Sequence, residues 1–155
     1  MPIIYIDGQS LMNNQKGLPR RAKVAIVYQS SANPVPTLSD SKIFWKNIGD
    51  RTNNQAEYLA LLEALSIVAT EFGKTKGGVE KATSVKIRSD SKLLVEQMKG
   101  RWKAEDPELA GLRDEAKGLM ARMGPVELEW VPREMNYAGL WLEGLWKGPP
   151  VMVLP

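Results

Sequence analysis

The apolar residues change their spacing partway along the chain, and that change restricts the fold to a mixed α/β class. Up to residue 46 they come in short runs: Ile3-Ile4-Tyr5-Ile6, then Ala22 to Gln29, where Val24, Ile26 and Tyr28 alternate with Ala25 and Val27, then Lys42 to Lys46. Short runs rich in β-branched and aromatic residues, the last two separated by a Ser/Asn/Pro turn over residues 30–37, predict three strands joined as an antiparallel meander. From Asn54 onward Tyr58, Leu61, Leu62, Leu65, Val68, Ala69 and Phe72 recur at helical spacing instead. Thr52 or Asn53 is placed to cap that helix and Gly73 to stop it.

The rest alternates. Ser84 to Arg88 reads as a strand, and Asp90-Ser91 as the cap of a helix over Lys92 to Lys99. Asp106-Pro107 starts another helix, which Gly124 ends. Val126 to Val131 makes a fifth strand, and Asn136 to Trp146 a last helix. Strand–helix–strand units following a meander predict a five-stranded mixed sheet flanked by helices. Residues 1–147 are expected to form one domain, followed by an apolar, proline-broken tail over 148–155. The lysines between Lys74 and Lys86 read as a solvated loop.

Composition narrows the chemistry. The 155 residues include no cysteine and no histidine. Thiolate zinc sites, cysteine nucleophiles and histidine general bases are therefore excluded. Any catalysis must use carboxylates, lysines, hydroxyls, amides or a hard cation bound through oxygen. A net charge of +3 accommodates a polyanion without demanding one. No apolar run approaches the ~18 residues of a membrane span, so a cytoplasmic chain without a membrane partner is expected.

Three acids fall at the boundaries of the predicted elements. Asp7 ends the first strand, Glu57 lies in the first turn of the long helix, and Asp90 ends the fourth strand. In open α/β sheets, sites form outside the carboxyl ends of the strands. Three carboxylates gathered there repel one another, and Mg²⁺ or Mn²⁺ is the expected oxygen-bound counterion. Ser89 and Ser91 read as caps, since nothing is present to activate them. Trp130, Trp141 and Trp146 read as core or helix-docking residues.

Four words surround these acids: Tyr5-Ile6-Asp7-Gly8, Thr52-Asn53-Asn54-Gln55-Ala56-Glu57-Tyr58, Arg88-Ser89-Asp90-Ser91, and Trp130-Val131-Pro132-Arg133-Glu134-Met135-Asn136. Together, in this order, they resemble type 1 ribonuclease H over nearly the whole chain. The resemblance implies the ribonuclease H-like fold and metal-dependent hydrolysis of the RNA strand of an RNA/DNA hybrid. It implies 5′-phosphate and 3′-hydroxyl products and two Mg²⁺ ions, with Asp7 bridging them and Glu57 and Asp90 completing the acids. A monomer without an organic cofactor is expected. In the family, residues matching Asn53 and Asn54 contact the hybrid from its minor groove, and the one matching Thr52 helps hold a DNA phosphate. Gly8 is read as allowing the substrate backbone close to the metals.

The chain departs from the family at the start of the last helix. Where an aspartate is usual, the aligned word Asn136-Tyr137-Ala138-Gly139 has glycine. Glu143, one turn further on, is a candidate replacement ligand; Glu134, Asn136 or water are the others. The family's frequent histidine before this helix is absent, and no long basic protrusion follows the middle helix. The short segment Lys99-Gly100-Arg101-Trp102-Lys103 remains as a candidate grip on the DNA strand through Lys99, Arg101, Trp102 and Lys103. Against that stands an ordinary helix-to-helix turn with its tryptophan on the core. Two rival readings are a hybrid-binding module of the same fold that does not cleave, because of Gly139, and a related nuclease acting on DNA.

Overall fold

The first strand, β1 (Ile3–Leu11), is covered on both faces over its first half, which places it at the centre of the molecule. It pairs antiparallel with β2 (Arg21–Gln29), which pairs antiparallel with β3 (Ser41–Gly49). On its other edge β1 runs parallel to β4 (Val85–Ser89), and β4 runs parallel to β5 (Val126–Trp130). A sixth strand, β6 (Val151–Val153), lies parallel to β3, so the order is β5-β4-β1-β2-β3-β6. The computed structural model describes residues 1–11, 21–72 and 84–155. The expected Gly73 stop and the lysine-bearing loop before β4 lie outside the described residues, as does the Phe72 side chain.

The expected sheet had five strands; the sixth comes from the tail. The four residues between prolines, Val151 to Leu154, carry no periodicity of their own, so only the open edge of β3 decides their conformation. Leu154 N–H extends the pairing to the Trp45 carbonyl at 2.9 Å. Gly148 lets the chain turn onto that edge: its φ is +60°, and a Cβ there would lie 2.6 Å from Ile43 Cδ1.

Each face of the sheet buries one apolar layer. Ile4, Ile6, Val24, Ile26 and Ile87 pack beneath α1 (Asn53–Phe72), α2 (Lys92–Met98) and α3 (Pro107–Ala121). Ile3, Tyr5, Ala25, Val27 and Ile43 pack beneath α4 (Tyr137–Leu142). On that second side Tyr137 meets Tyr5 and Trp146 edge-on, and Trp141 meets Trp45. Trp141 and Trp146 thus have the docking role expected of them. The last helix is shorter than expected: a 3₁₀ turn (Arg133–Met135) precedes it, and Gly144, at φ +74°, follows its end.

Local chemistry sets the helix starts. Thr52 and Gln55 form a reciprocal capping box, with Gln55 N–H donating to Thr52 Oγ1 (3.1 Å) and Thr52 N–H donating to Gln55 Oε1 (3.0 Å). Ser91 Oγ accepts from Leu94 N–H, and Asp106 Oδ1 from Glu108 N–H. Inside, the Tyr58 hydroxyl donates to Gln97 Oε1 at 2.7 Å, and Gln97 Nε2 donates to the Lys103 carbonyl, tying α1 and α2 to the turn before α3. Burial pushes the Tyr58 hydroxyl pKa up to about 12, so it stays a donor.

The Thr52 cap anchors the turn of α1 that carries Glu57. Thr52→Ala is expected to destabilise the fold by about 1 kcal/mol, measured as a shift in the urea midpoint at constant slope.

Candidate functional site

Alternation along β1 separates Asp7 from its neighbours. Ile4, Ile6 and Gly8 share the face beneath α1, whereas Ile3, Tyr5 and Asp7 share the face beneath α4. Asp7 lies within β1, which runs on to Leu11, instead of ending it as expected. The pairing with β4 stops at Ile6↔Ser89, because β4 ends there and the chain turns at Asp90 into α2. Asp7 and Asp90 therefore sit at the same level on adjacent parallel strands, as anticipated.

Glu57 arrives from above. It begins the second turn of α1 and not the first, since Asn53 already opens the helix. What allows the approach is Gly8. A Cβ on Gly8 would lie 2.1 Å from the Ala56 carbonyl carbon and 2.5 Å from Glu57 N. The space on the α1 side of Gly8 is filled by helix backbone, while Gly8 also lines the cleft over the trio. The Gly8 N–H also hydrogen-bonds Glu57.

The three acids bring carboxylate oxygens within 4.8 Å of one another. Asp7 is fully buried and Glu57 nearly so. Burial, with the Asp90 charge, raises the Asp7 pKa from 3.8 to about 6, against the pull of Arg133. Burial, then the charges of Asp7 and Asp90, holds Glu57 well above the usual carboxyl range. Glu57 Oε2 is buried without a hydrogen-bond partner. A buried, unpartnered carboxylate oxygen beside two further acids fits a hard divalent cation.

Sequence reasoning missed one participant. Arg133 Nη1 donates to Asp7 Oδ1 (3.0 Å) and to Asp90 Oδ2 (2.7 Å). Its Nε and Nη2 donate to Glu143 Oε1 at 3.1 and 2.6 Å. Burial alone would lower its pKa, but Asp7, Asp90 and Glu143 outweigh it and keep the guanidinium charged. Glu143 thus comes to the site, but it reaches the trio only through Arg133. In the family's word the aspartate stands four residues after the asparagine, a place that falls here on Leu140 and not on Gly139; of the other candidates for the missing carboxylate, Glu134 is exposed, while Asn136 donates to the Ile6 carbonyl at 2.9 Å. The available signal was Arg133 itself, inside a quoted word but given no role. Gln9 Nε2 also donates to Asp7 Oδ2 (3.0 Å).

An open cleft of about 650 Å³ lies over the trio, lined among others by Asn53, Asn54, Ser91 and Trp130. Asn53 Oδ1 accepts from Ser10 N–H at 2.7 Å, pinning α1 to the end of β1. The Thr52 hydroxyl is engaged in the helix cap. Trp130 is 47% exposed and donates through Nε1 to the Asp90 carbonyl, which corrects its reading as a core residue. Lys99, Arg101, Trp102 and Lys103 are all exposed in the turn after α2, so Trp102 does not pack on the core. Arg101 makes a bidentate pair with Glu96 at 2.6 and 2.7 Å.

These features define a buried carboxylate cluster, open to a cleft, at the carboxyl ends of parallel strands. Residues 40–142 match the family model described as reverse transcriptase-like. The N-terminal RNase H domain of Rv2228c from Mycobacterium tuberculosis superimposes with a TM-score of 0.71 at 31% identity, covering 93% of this chain and 91% of that one. RNase H1 from Halobacterium salinarum gives 0.68 at 30% identity, covering 88% and 89%. LC11-RNase H1, solved in complex with an RNA/DNA hybrid, gives 0.69 at 26% identity, covering 88% and 89%. The chain belongs to the type 1 ribonuclease H family. It spans about a third of the full-length M. tuberculosis relative, the bifunctional protein Rv2228c: 38% identity over 135 residues, 86% of this chain and 32% of that protein.

Because the folded-state pKa of Asp7 lies above its unfolded value, ionising it costs stability. The cost is absent below about pH 4, grows as pH rises toward about 6, and is constant above. In chelator, Asp7→Asn should therefore be more stable than the parent at pH 7, and the two should converge by pH 4. Urea unfolding across that range measures it.

Proposed function

We propose that this chain is an endonuclease that hydrolyses the RNA strand of RNA/DNA hybrids with Mg²⁺ or Mn²⁺, leaving 5′-phosphate and 3′-hydroxyl ends. The observation that carries this reading is the convergence of Asp7, Glu57 and Asp90 beneath an open cleft. Asp7, Glu57 and Asp90 would hold the cation. When bound, such a cation supplies a nucleophile from water and stabilises the charge on the leaving 3′-oxygen.

The residues of the chain itself do the rest. Burial keeps the trio poorly hydrated, so its charge is expressed toward a ligand and not toward bulk water. Asn53 spends its carbonyl oxygen on Ser10, leaving its amide nitrogen to donate toward a ribose hydroxyl or base edge. Asn54 lines the same cleft. Reading 2′-hydroxyls in the wide minor groove distinguishes RNA from DNA. Thr52, at the head of the same helix, is assigned to a DNA phosphate, and Lys99, Arg101, Trp102 and Lys103 to the DNA strand further along. Of these, Arg101 is the weakest, because Glu96 already holds its guanidinium. A pair of cations, as the resemblance implies, requires the Arg133 guanidinium to withdraw from Asp7 and Asp90. Among the described residues no helix is long and apolar enough to cross a membrane; monomeric action in the cytoplasm without an organic cofactor belongs to the same proposal.

A labelled hybrid should be cut in its RNA strand with Mg²⁺ or Mn²⁺, while duplex DNA and duplex RNA stay intact. Asp90→Asn should lower the rate on the order of 10²–10³-fold. Binding of hybrid with no cleavage at any concentration of either metal would favour a non-cleaving module. The distal contact has its own test. Lys99→Ala with Lys103→Ala should weaken hybrid binding and reduce the slope of log affinity against log salt by about 2; an unchanged slope would remove these residues from the interface.

A further inference from the structure

We propose that Trp130 is a substrate-contacting residue: its indole face packs on the sugar of an RNA nucleotide beside the trio, on the flank opposite Asn53 and Asn54. The inference rests on the nuclease reading above and adds the contact that holds the strand on the β5 side of the scissile phosphate.

The sheet sets the position. The strand order runs β5-β4-β1, so Asp90, at the turn after β4, lies between Asp7 on β1 and Trp130 on β5. Trp130 is the last residue of β5 and pairs in register with Ser89. Val131 N–H then donates to the Ser89 carbonyl at 2.9 Å, which keeps the two strand ends together. Asn53 marks the other flank through its bond to Ser10 on β1. Asn53, Asp90 and Trp130 line one cleft.

The ring is exposed where exposure is costly. Leu128, two residues earlier on the same face of β5, is buried, so the apolar layer ends there and the indole projects beyond it. The neighbouring parts of the cleft wall, Asp90, Ser91 and Arg133, are polar or charged. Trp130 Nε1 donates to the Asp90 carbonyl at 3.1 Å. That bond uses the only polar group of the indole and leaves the ring faces for a ligand. It also fixes the ring relative to the third acid before substrate arrives, which lowers the ordering cost of binding. The bases of a duplex are already stacked on one another, so the sugar is what the strand offers to a flat apolar surface. Such packing selects no base, which suits a site that reads the ribose.

The test measures hybrid affinity by fluorescence anisotropy in chelator, together with kcat and KM for cleavage with Mg²⁺ or Mn²⁺. Trp130→Ala should bind hybrid about tenfold more weakly and raise KM more than it lowers kcat. Trp130→Phe, which keeps an aromatic face but no N–H, should retain most of the affinity. A ring that merely braced Asp90 would give a different pattern, a fall in kcat in both variants at unchanged affinity. In a Trp102→Phe background, hybrid should lower the acrylamide quenching of indole emission, and adding Trp130→Phe should abolish that protection. The single Trp102→Phe variant leaves Trp130 in place, so its protection is read whether or not a Trp130 variant folds. Trp130→Ala with parental affinity, Trp130→Phe as weak as Trp130→Ala, or quenching that hybrid does not lower would overturn the inference. A parent that protects Trp130 on binding hybrid but cleaves it with neither metal would instead overturn the nuclease reading and leave the contact standing.

Discussion

The charge of Asp7 is the constraint around which the rest is arranged. A carboxylate with no exposure, in the middle of a central strand, is costly unless something compensates it. The molecule compensates it with Gln9 from its own strand and Arg133 from the loop before α4. The two partners arrive on different elements. Removing any one partner leaves a buried charge less paired, which is the expensive situation.

Two glycines make that arrangement possible in opposite ways. Gly8 removes a side chain so that helix backbone can press against the strand and deliver Glu57 to the trio. Gly139 removes a side chain so that the Arg133 guanidinium can lie against α4 beside Asp7. Both act by vacating volume, and neither φ is positive. The two sites differ in what fills the space, immovable backbone at Gly8 and the end of a flexible side chain at Gly139. The first is a condition of the fold, and the second is a choice of electrostatics within it.

Much of this was legible beforehand. The switch from strand-like to helical periodicity predicted the meander and α1, with β2 and α1 bounded to within one residue, because burial on a known face imposes its own spacing; β1 and β3 run on past their expected ends to Leu11 and Gly49. Thr52, Ser91 and Asp106 mark helix starts by a local hydrogen bond that needs no distant partner. The trio was readable from Asp7, Glu57 and Asp90 because strand order and parallel pairing force their positions together. The sixth strand was not readable, since Val151–Val153 pairs only because β3 has an open edge. Trp130 was misjudged because it shares the face of buried Leu128 but is the last residue of β5, where its indole lies exposed beside Asp90.

The amino-acid order by itself determined the fold class and the carboxylate trio, because these follow from periodicity, spacing and residue identity; the want of a fourth acid is read only from the family's word. Only the tertiary structure decided which cation pairs with the trio. Arg133 is 126 residues from Asp7 and 43 from Asp90 in the chain, and Glu143 steers it from the far side. A long flexible side chain chooses among acids by three-dimensional proximity, and no local pattern encodes that choice.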